Sequence, residues 1–187
     1  MILIARHGES IANLENTMAG SIDSPLTERG KHQAFELAQE LLKAGFDKDK
    51  KSLVISSPLS RAYETANIVS TELGLTQIVY PIITEQYFGD LEGENKDDLV
   101  NKIGVDQLYF YRRDINSNPP NGEHFSKVLN RAKSFQISLD RLHEIYPQIL
   151  VVAHNNILRA LALNYGLCSP SNFSTFEMQN AKALRLK

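Results

Sequence analysis

Short apolar runs alternate along this chain with helix-length stripes, and each run stops abruptly on polar residues. This alternation limits the fold most, because strand–helix–strand order specifies a layered α/β sheet. Residues 2–5 (ILIA), 53–56 (LVIS) and 149–153 (ILVVA) read as strands buried on both faces. Thr27 is placed to cap a helix with Ala34, Leu37, Ala38, Leu41 and Leu42 on one side, and Gly45 to end it. Ser57 fits an N-cap with Pro58 at the first helical position, ahead of Ala62, Ala66, Val69 and Leu73, with Gly74 as the stop. Residues 78–84 look extended. Phe125, Val128, Leu129, Ala132, Phe135, Leu139 and Leu142 mark a long amphipathic helix, and residues 157–165 a further one. Residues 173–178 and 181–186 predict a closing hairpin across Gln179-Asn180. The expected architecture is a three-layer α/β/α sandwich around a mostly parallel central sheet.

A chain of 187 residues suits one well-buried core, so residues 1–187 are read as a single domain. From residue 86 to 121 the periodicity weakens, up to Asn118-Pro119-Pro120-Asn121-Gly122, and this stretch is read as a lid-like insertion. Net charge is −2 with no block of like charge, which argues against a nucleic-acid surface. No apolar stretch approaches the length of a membrane span. Cys168 is the single cysteine, so no intrachain disulfide forms. The N-terminal apolar run is too short for a signal peptide and Arg6 interrupts it, so the expectation is a cytoplasmic protein.

Two histidines hold equivalent places: His7 and His154 each follow a buried strand, and a parallel sheet delivers both to the same edge, where ligands bind. A third strand end, Ser56-Ser57-Pro58, leads toward Arg61. Helix N-termini favour anions, so Arg6, Arg61, His7 and His154 can converge on a phosphoryl group, whose oxygens need neutralising in the transition state. A neutral imidazole is a competent nucleophile toward phosphorus, and nearby arginines disfavour its cationic form. The leaving alkoxide then needs a proton, for which a carboxyl group is the natural donor.

With these residues in place, the chain resembles the histidine phosphatase superfamily, the phosphoglycerate mutase-like group, over nearly its whole length. Arg6-His7-Gly8-Glu9-Ser10 is similar to the family's opening motif, with Asn13 at its phosphate-contacting asparagine. Gly20-Ser21-Ile22-Asp23-Ser24-Pro25-Leu26-Thr27-Glu28-Arg29-Gly30 resembles the loop and helix start that follow. Ser56-Ser57-Pro58-Leu59-Ser60-Arg61-Ala62 resembles the block with the second arginine, and Glu85-Gln86-Tyr87-Phe88-Gly89 the block that supplies the acid. Pro120-Asn121-Gly122-Glu123 and Ala153-His154 complete the series in order. The resemblance implies that His7 is the nucleophile, that Arg6, Arg61 and His154 hold the phosphoryl oxygens, and that Glu85 protonates the leaving oxygen. Asn13, Ser21 and Asn155 are candidate substrate contacts. It implies no metal. Where the family has two glycines after the second histidine this chain has Asn155 and Asn156, and His124 stands where the family often has a serine.

Bland readings compete at several of these residues. Glu9, Asp90, Glu92 and Glu123 are rival acids to Glu85, and Arg61 can pair with Glu64 at helical spacing. His7 and His154 can be metal ligands, but lack a His-x-x-x-His pair or a cysteine partner. His32, His124 and His143 read as solvated or capping residues. Arg112 and Arg113 read as facing solvent, although Lys96 with this pair resembles the mutase insert that grips a substrate carboxylate. Three functions follow: a phosphatase acting through a phosphohistidine, a phosphoglycerate mutase, and a binding module without turnover. The insert is short and the chain stops soon after its last predicted strand, features that admit water and favour the phosphatase. The expected partner is a small phosphorylated metabolite with no cofactor, and 2,3-bisphosphoglycerate as primer under the mutase reading. No feature selects an oligomeric state.

Overall fold

The structure, a computed structural model, describes residues 1–46 and 51–187. Its strands are β1 (Ile2–Arg6), β2 (Ser52–Ser56), β3 (Thr76–Val79), β4 (Gln148–Ala153) and β5 (Ala183–Arg185). They form one sheet in the order β3-β2-β4-β1-β5. β1 to β4 run parallel, and β5 joins β1 antiparallel at the edge. The helices are α1 (Ile11–Leu14), α2 (Glu28–Lys43), α3 (Ser60–Leu73), α4 (Lys96–Ile103), α5 (Val105–Arg113), α6 (Phe125–Ile145) and α7 (Asn155–Asn164).

Period-two alternation within the strands sorts the side chains into two layers. Ile2, Ile4, Leu53, Ile55, Ile149 and Val151 face Phe125, Val128, Phe135 and Leu139 of α6 and Ile157 and Leu161 of α7. Leu3, Ala5, Val54, Leu150 and Val152 face Leu37 and Leu41 of α2 and Ala62, Ala66 and Val69 of α3. Each fully buried Leu, Ile or Val contributes about 1.5–3 kcal/mol, so a charge at Val54 or Val151 would disrupt the core between a helix layer and the sheet. This is the expected α/β/α sandwich.

Several local expectations are corrected. α3 starts at Ser60 rather than Pro58, and Leu59 at its N-cap makes no side-chain cap. Asp23 reaches in instead: its Oδ1 accepts the Ser60 N–H and hydroxyl, both at 2.7 Å. The extended reading of residues 78–84 holds only to Val79; Pro81–Ile83 form a 3₁₀ turn, with proline at a position whose N–H would go unused. The closing hairpin does not form. Phe173–Thr175 are a 3₁₀ turn, and β5 pairs with β1, whose outer edge would otherwise lack partners. Helix α7 begins at Asn155, directly after the second histidine.

The poorly patterned stretch carries a 3₁₀ turn at Gly89–Leu91 and the helices α4 and α5. Each of these helices fully buries one side chain, Leu99 or Leu108, in a small apolar cluster with Met18, Phe88 and Leu91. One buried residue per helix leaves little periodicity to read. Among the described residues no helix is long and apolar enough to cross a membrane.

Candidate active site

The sheet ladder runs one residue past each strand end. The His7 N–H donates to Ala153 O at 3.0 Å and the Ser57 N–H to Val152 O at 3.1 Å. Register therefore brings His7, Ser57 and His154 to a single rim, at the carboxyl ends of β1, β2 and β4. The chain must then turn sharply at Gly8, where a Cβ would lie 2.4 Å from Gly30 O. The freed Gly8 N–H donates to Thr65 Oγ1 of α3 at 3.0 Å.

His7 is 4% exposed, and its Nδ1 lies 2.7 Å from Gly8 O. A carbonyl only accepts, so Nδ1 carries the proton and Nε2 keeps its lone pair. Burial, then the guanidinium groups of Arg6 and Arg61, hold this imidazole well below its usual pKa against the opposing Gly8 hydrogen bond. His154 is fully buried, with ring centroids 5.3 Å apart between it and His7. Burial, then Arg61 and His7, push it down as well. Its Nε2 lies 2.8 Å from the hydroxyl of Ser57, while its Nδ1 has no protein partner. The same Ser57 oxygen accepts the Leu59 N–H at 3.3 Å, which leaves its own proton to orient this ring.

Arg61 projects from the first turn of α3 and is anchored by two carbonyls, Ile22 O at 2.9 Å and Gly20 O at 2.7 Å. Glu64 does not pair with it; its carboxylate lies 3.9 Å from Lys31. Arg6 ends β1 with a buried, unpartnered Nε and one long contact to Met178 O at 3.5 Å. Asn13 completes a capping box with Ser10 and lines the same pocket. Ser21 is turned away: its N–H and hydroxyl donate to the Glu92 carboxylate at 2.7 and 2.8 Å.

Glu85 lines the same pocket as His7, with its carboxylate on the N-terminus of α7. It accepts the Asn156 N–H at 3.2 and 3.3 Å and the Gln86 N–H at 2.9 Å. The rival acids are engaged elsewhere. Glu9 binds Thr27 and Arg29, Asp90 accepts from Asn121, Glu92 holds Ser21, and Glu123 pairs with Arg131 at 2.8 Å. Of the five, Glu85 alone lines the pocket with His7.

Asn155 and Asn156 act as anchors. Asn155 Oδ1 accepts the Met178 N–H at 3.3 Å, tying the C-terminal segment to the site. The Asn156 side chain donates to Gln86 Oε1 at 2.6 Å and accepts from Arg159 Nη1 at 2.8 Å. Gln86 and Arg159 are both fully buried. Sequence reasoning missed this network because it lies inside helical and loop patterns; the cue was two amides in place of glycines. It also missed Thr65 and Glu177 as site residues; Lys96, singled out through the mutase insert, does line the pocket, and the reading of Arg112 as solvent-facing is corrected. Arg112 lines the pocket with Lys96 and Glu177, while Arg113 behind it pairs with Glu177 at 2.9 Å. Helix α5 turns one arginine inward and packs the other over the Tyr109 ring. His124 caps α6, His32 faces Glu36, and His143 contacts Tyr146 O and the N-terminus.

Together these groups place a tautomer-fixed imidazole, two guanidiniums and a carboxylate around one pocket. That set can bind a phosphoryl group, attack it and exchange a proton with its ester oxygen. Among the described residues no three His, Cys, Asp or Glu side chains form a metal-binding group.

Known proteins resemble this chain in sequence and in fold. A model of the histidine phosphatase superfamily (branch 1) matches residues 2–187. The 2,3-bisphosphoglycerate-dependent phosphoglycerate mutase of Rhodopseudomonas palustris (strain BisB18) is 33% identical, over 95% of this chain and 86% of its own. A mycobacterial glucosyl-3-phosphoglycerate phosphatase, solved with VO3, superposes with a TM-score of 0.84 at 26% identity, covering 97% of this chain and 88% of its own. The alpha-ribazole phosphatase of Shigella flexneri gives 0.80 at 28% identity, covering 97% and 87%.

Proposed function

The chain belongs to the histidine phosphatase superfamily, and from that premise we propose that it hydrolyses small phosphate monoesters through a phosphohistidine on His7. The observation that carries this reading is the Nδ1–H of His7 on Gly8 O, which leaves Nε2 as a neutral nucleophile beside Arg6 and Arg61. Nε2 attacks phosphorus as the ester P–O bond breaks. Arg6, Arg61 and Asn13 bind the phosphoryl oxygens, and their hydrogen bonds strengthen as charge develops there. With the Ser57 hydroxyl donating to His154 Nε2, the His154 proton sits on Nδ1, a buried donor available to the same oxygens. Glu85 gives a proton to the departing alkoxide, then takes one from the water that splits the phosphohistidine. The Arg6 and Arg61 guanidiniums supply the positive charge, so the reaction as proposed uses no metal and no cofactor. A cytoplasmic location, with a soluble metabolite as partner, belongs to the same proposal.

A second reading is the mutase, in which the phosphoryl group returns to the substrate. It is favoured by Lys96 and Arg112, two further cations lining the pocket, and by the relatives named as mutases. Under that reading 2,3-bisphosphoglycerate would prime His7. Phosphate release from 3-phosphoglycerate, compared with its isomerisation after priming with the bisphosphate, separates the two reactions. Hydrolysis is expected to dominate; isomerisation outrunning release would overturn the phosphatase. Replacement His7→Ala is expected to remove phosphate release from p-nitrophenyl phosphate and the acid-labile phosphoryl label trapped by rapid quenching. A variant that keeps either would sink the mechanism.

A further inference from the structure

The pocket contains a carboxylate that the proposed chemistry does not use. Glu177 lines it beside Arg6, Lys96 and Arg112 and accepts from Arg113 Nη2 at 2.9 Å. It sits on the irregular segment between Thr175 and β5, which the site itself holds in place. Arg159 Nε donates to Phe176 O at 2.8 Å, Asn155 accepts from Met178 N, and Asn180 Nδ2 donates to His7 O at 2.7 Å. Glu177 is thus fixed at the pocket by its neighbours on both sides.

Its charge is shared across a wall of guanidiniums. Arg6, Arg112 and Arg159 all feel it as a favourable neighbour, and Arg113 bonds it directly. Although burial pushes the Glu177 carboxyl upward, the Arg113 hydrogen bond and the neighbouring guanidiniums pull it below the usual carboxylate range. It is an anion at neutral pH. Arg112 has no hydrogen-bond or salt-bridge partner among the described residues, and burial, then Arg112 and Arg6, push the Lys96 ammonium down to about 8. With Arg113 occupied, a second negative group on a substrate would meet Arg112, a weakened Lys96 and the like charge of Glu177. A hydroxyl fits the same wall better, since its oxygen accepts from Arg112 while its hydrogen donates to Glu177.

We propose that Glu177 is a specificity-determining residue: as the pocket's own anion it occupies Arg113 and disfavours esters with a second negative group, selecting phosphate monoesters whose leaving group is a neutral, hydroxyl-bearing alcohol. The inference rests on the site being that of a phosphate-monoester hydrolase.

Two substrates that differ only at the wall test it: 3-phosphoglycerate, with a terminal carboxylate, and glycerol 3-phosphate, with a hydroxymethyl group in its place. The wild-type protein should show the higher kcat/KM for glycerol 3-phosphate. Glu177→Gln keeps the size of the side chain and should move the ratio about tenfold toward 3-phosphoglycerate, mainly through KM. Adding Arg112→Ala to Glu177→Gln should remove most of that gain, because Arg112 is the guanidinium that lines the pocket beside Glu177. A ratio that shifts less than about twofold in Glu177→Gln, under the factor of ten expected of a charge-assisted bond, overturns the proposal. If the wild-type protein releases phosphate from neither ester nor from p-nitrophenyl phosphate, the hydrolase reading fails separately. The ratio of dissociation constants for the two esters, measured by calorimetry on the same variants, then decides the role of Glu177 by the same criterion.

Discussion

Two regions meet in one pocket and are built by different physics. The rim of His7, Ser57 and His154 hangs on parallel strands whose hydrogen-bond register fixes every position. The facing wall of Lys96, Arg112 and Glu177 comes from short helices and an irregular segment, held by side-chain hydrogen bonds and one ion pair. A register cannot shift by a fraction of a residue, so the rim suits groups that must attack and stabilise at fixed distances. The wall can change by single substitutions without disturbing the sheet. Under the proposed function, the contrast assigns the reaction to groups fixed by backbone register and the choice of substrate to side chains on the wall.

If that division is right, the largest effect belongs to the acid poised on α7. Glu85→Gln is expected to lower kcat for an alkyl phosphate by about 10²–10⁴-fold, and far less for p-nitrophenyl phosphate, whose leaving oxygen departs without a proton. Equal losses on both esters would mean that Glu85 is not the proton donor. Next comes Asn156→Gly, which keeps the N–H on Glu85 but leaves buried Gln86 and Arg159 short of a partner. It should cost about 1–3 kcal/mol of stability, read in urea unfolding. An unchanged midpoint would show that the buried network does not brace the rim.

A smaller effect tests the two rings by pH. Both are held neutral in the folded state, with pKa values below the unfolded value of about 6.5. Stability is therefore full above about pH 6.5 and is lost as pH falls from there toward the depressed folded values, by up to about 1.4 kcal/mol per pH unit for each ring. His7→Gln should make the unfolding midpoint fall less steeply with acid, and an identical slope would contradict the buried neutral ring. The smallest effect lies on the wall. Arg112→Ala should raise KM a few-fold with a lesser change in kcat, since a partly screened cation contributes only about 1 kcal/mol; a loss confined to kcat would move Arg112 into the rim's chemistry.

The same division explains what could be read without coordinates. The sandwich, the two histidines at equivalent strand ends and the arginine on the third block follow from local patterns that tertiary packing does not override. Glu85 could be distinguished from four rival carboxylates only through its motif position, because nothing local shows that Asn156 donates to it. Ser57 caps only the Leu59 N–H, because Asp23, far away in sequence, takes the Ser60 N–H where α3 begins. The hairpin failed for a similar reason: residues 181–186 answer to the open edge of β1 rather than to their nearest neighbour. Arg112 and Arg113 are adjacent in sequence yet point to different tasks, and only the seating of α5 decides which turns inward.

The pairing of β1 has a further consequence, for the order in which the protein can become active. The strand that ends before His7 precedes both of its sheet neighbours by most of the chain: Ile2 aligns with Ile149, Leu3 with Arg185, and the Asn180 side chain reaches back 173 residues to His7 O. Contacts of such separation form late in folding. Until those pairings form, His7 lacks the second histidine, the α7 N-terminus and Glu177 beside it. The proposed phosphoryl chemistry would therefore require β4 and β5 to be paired with β1.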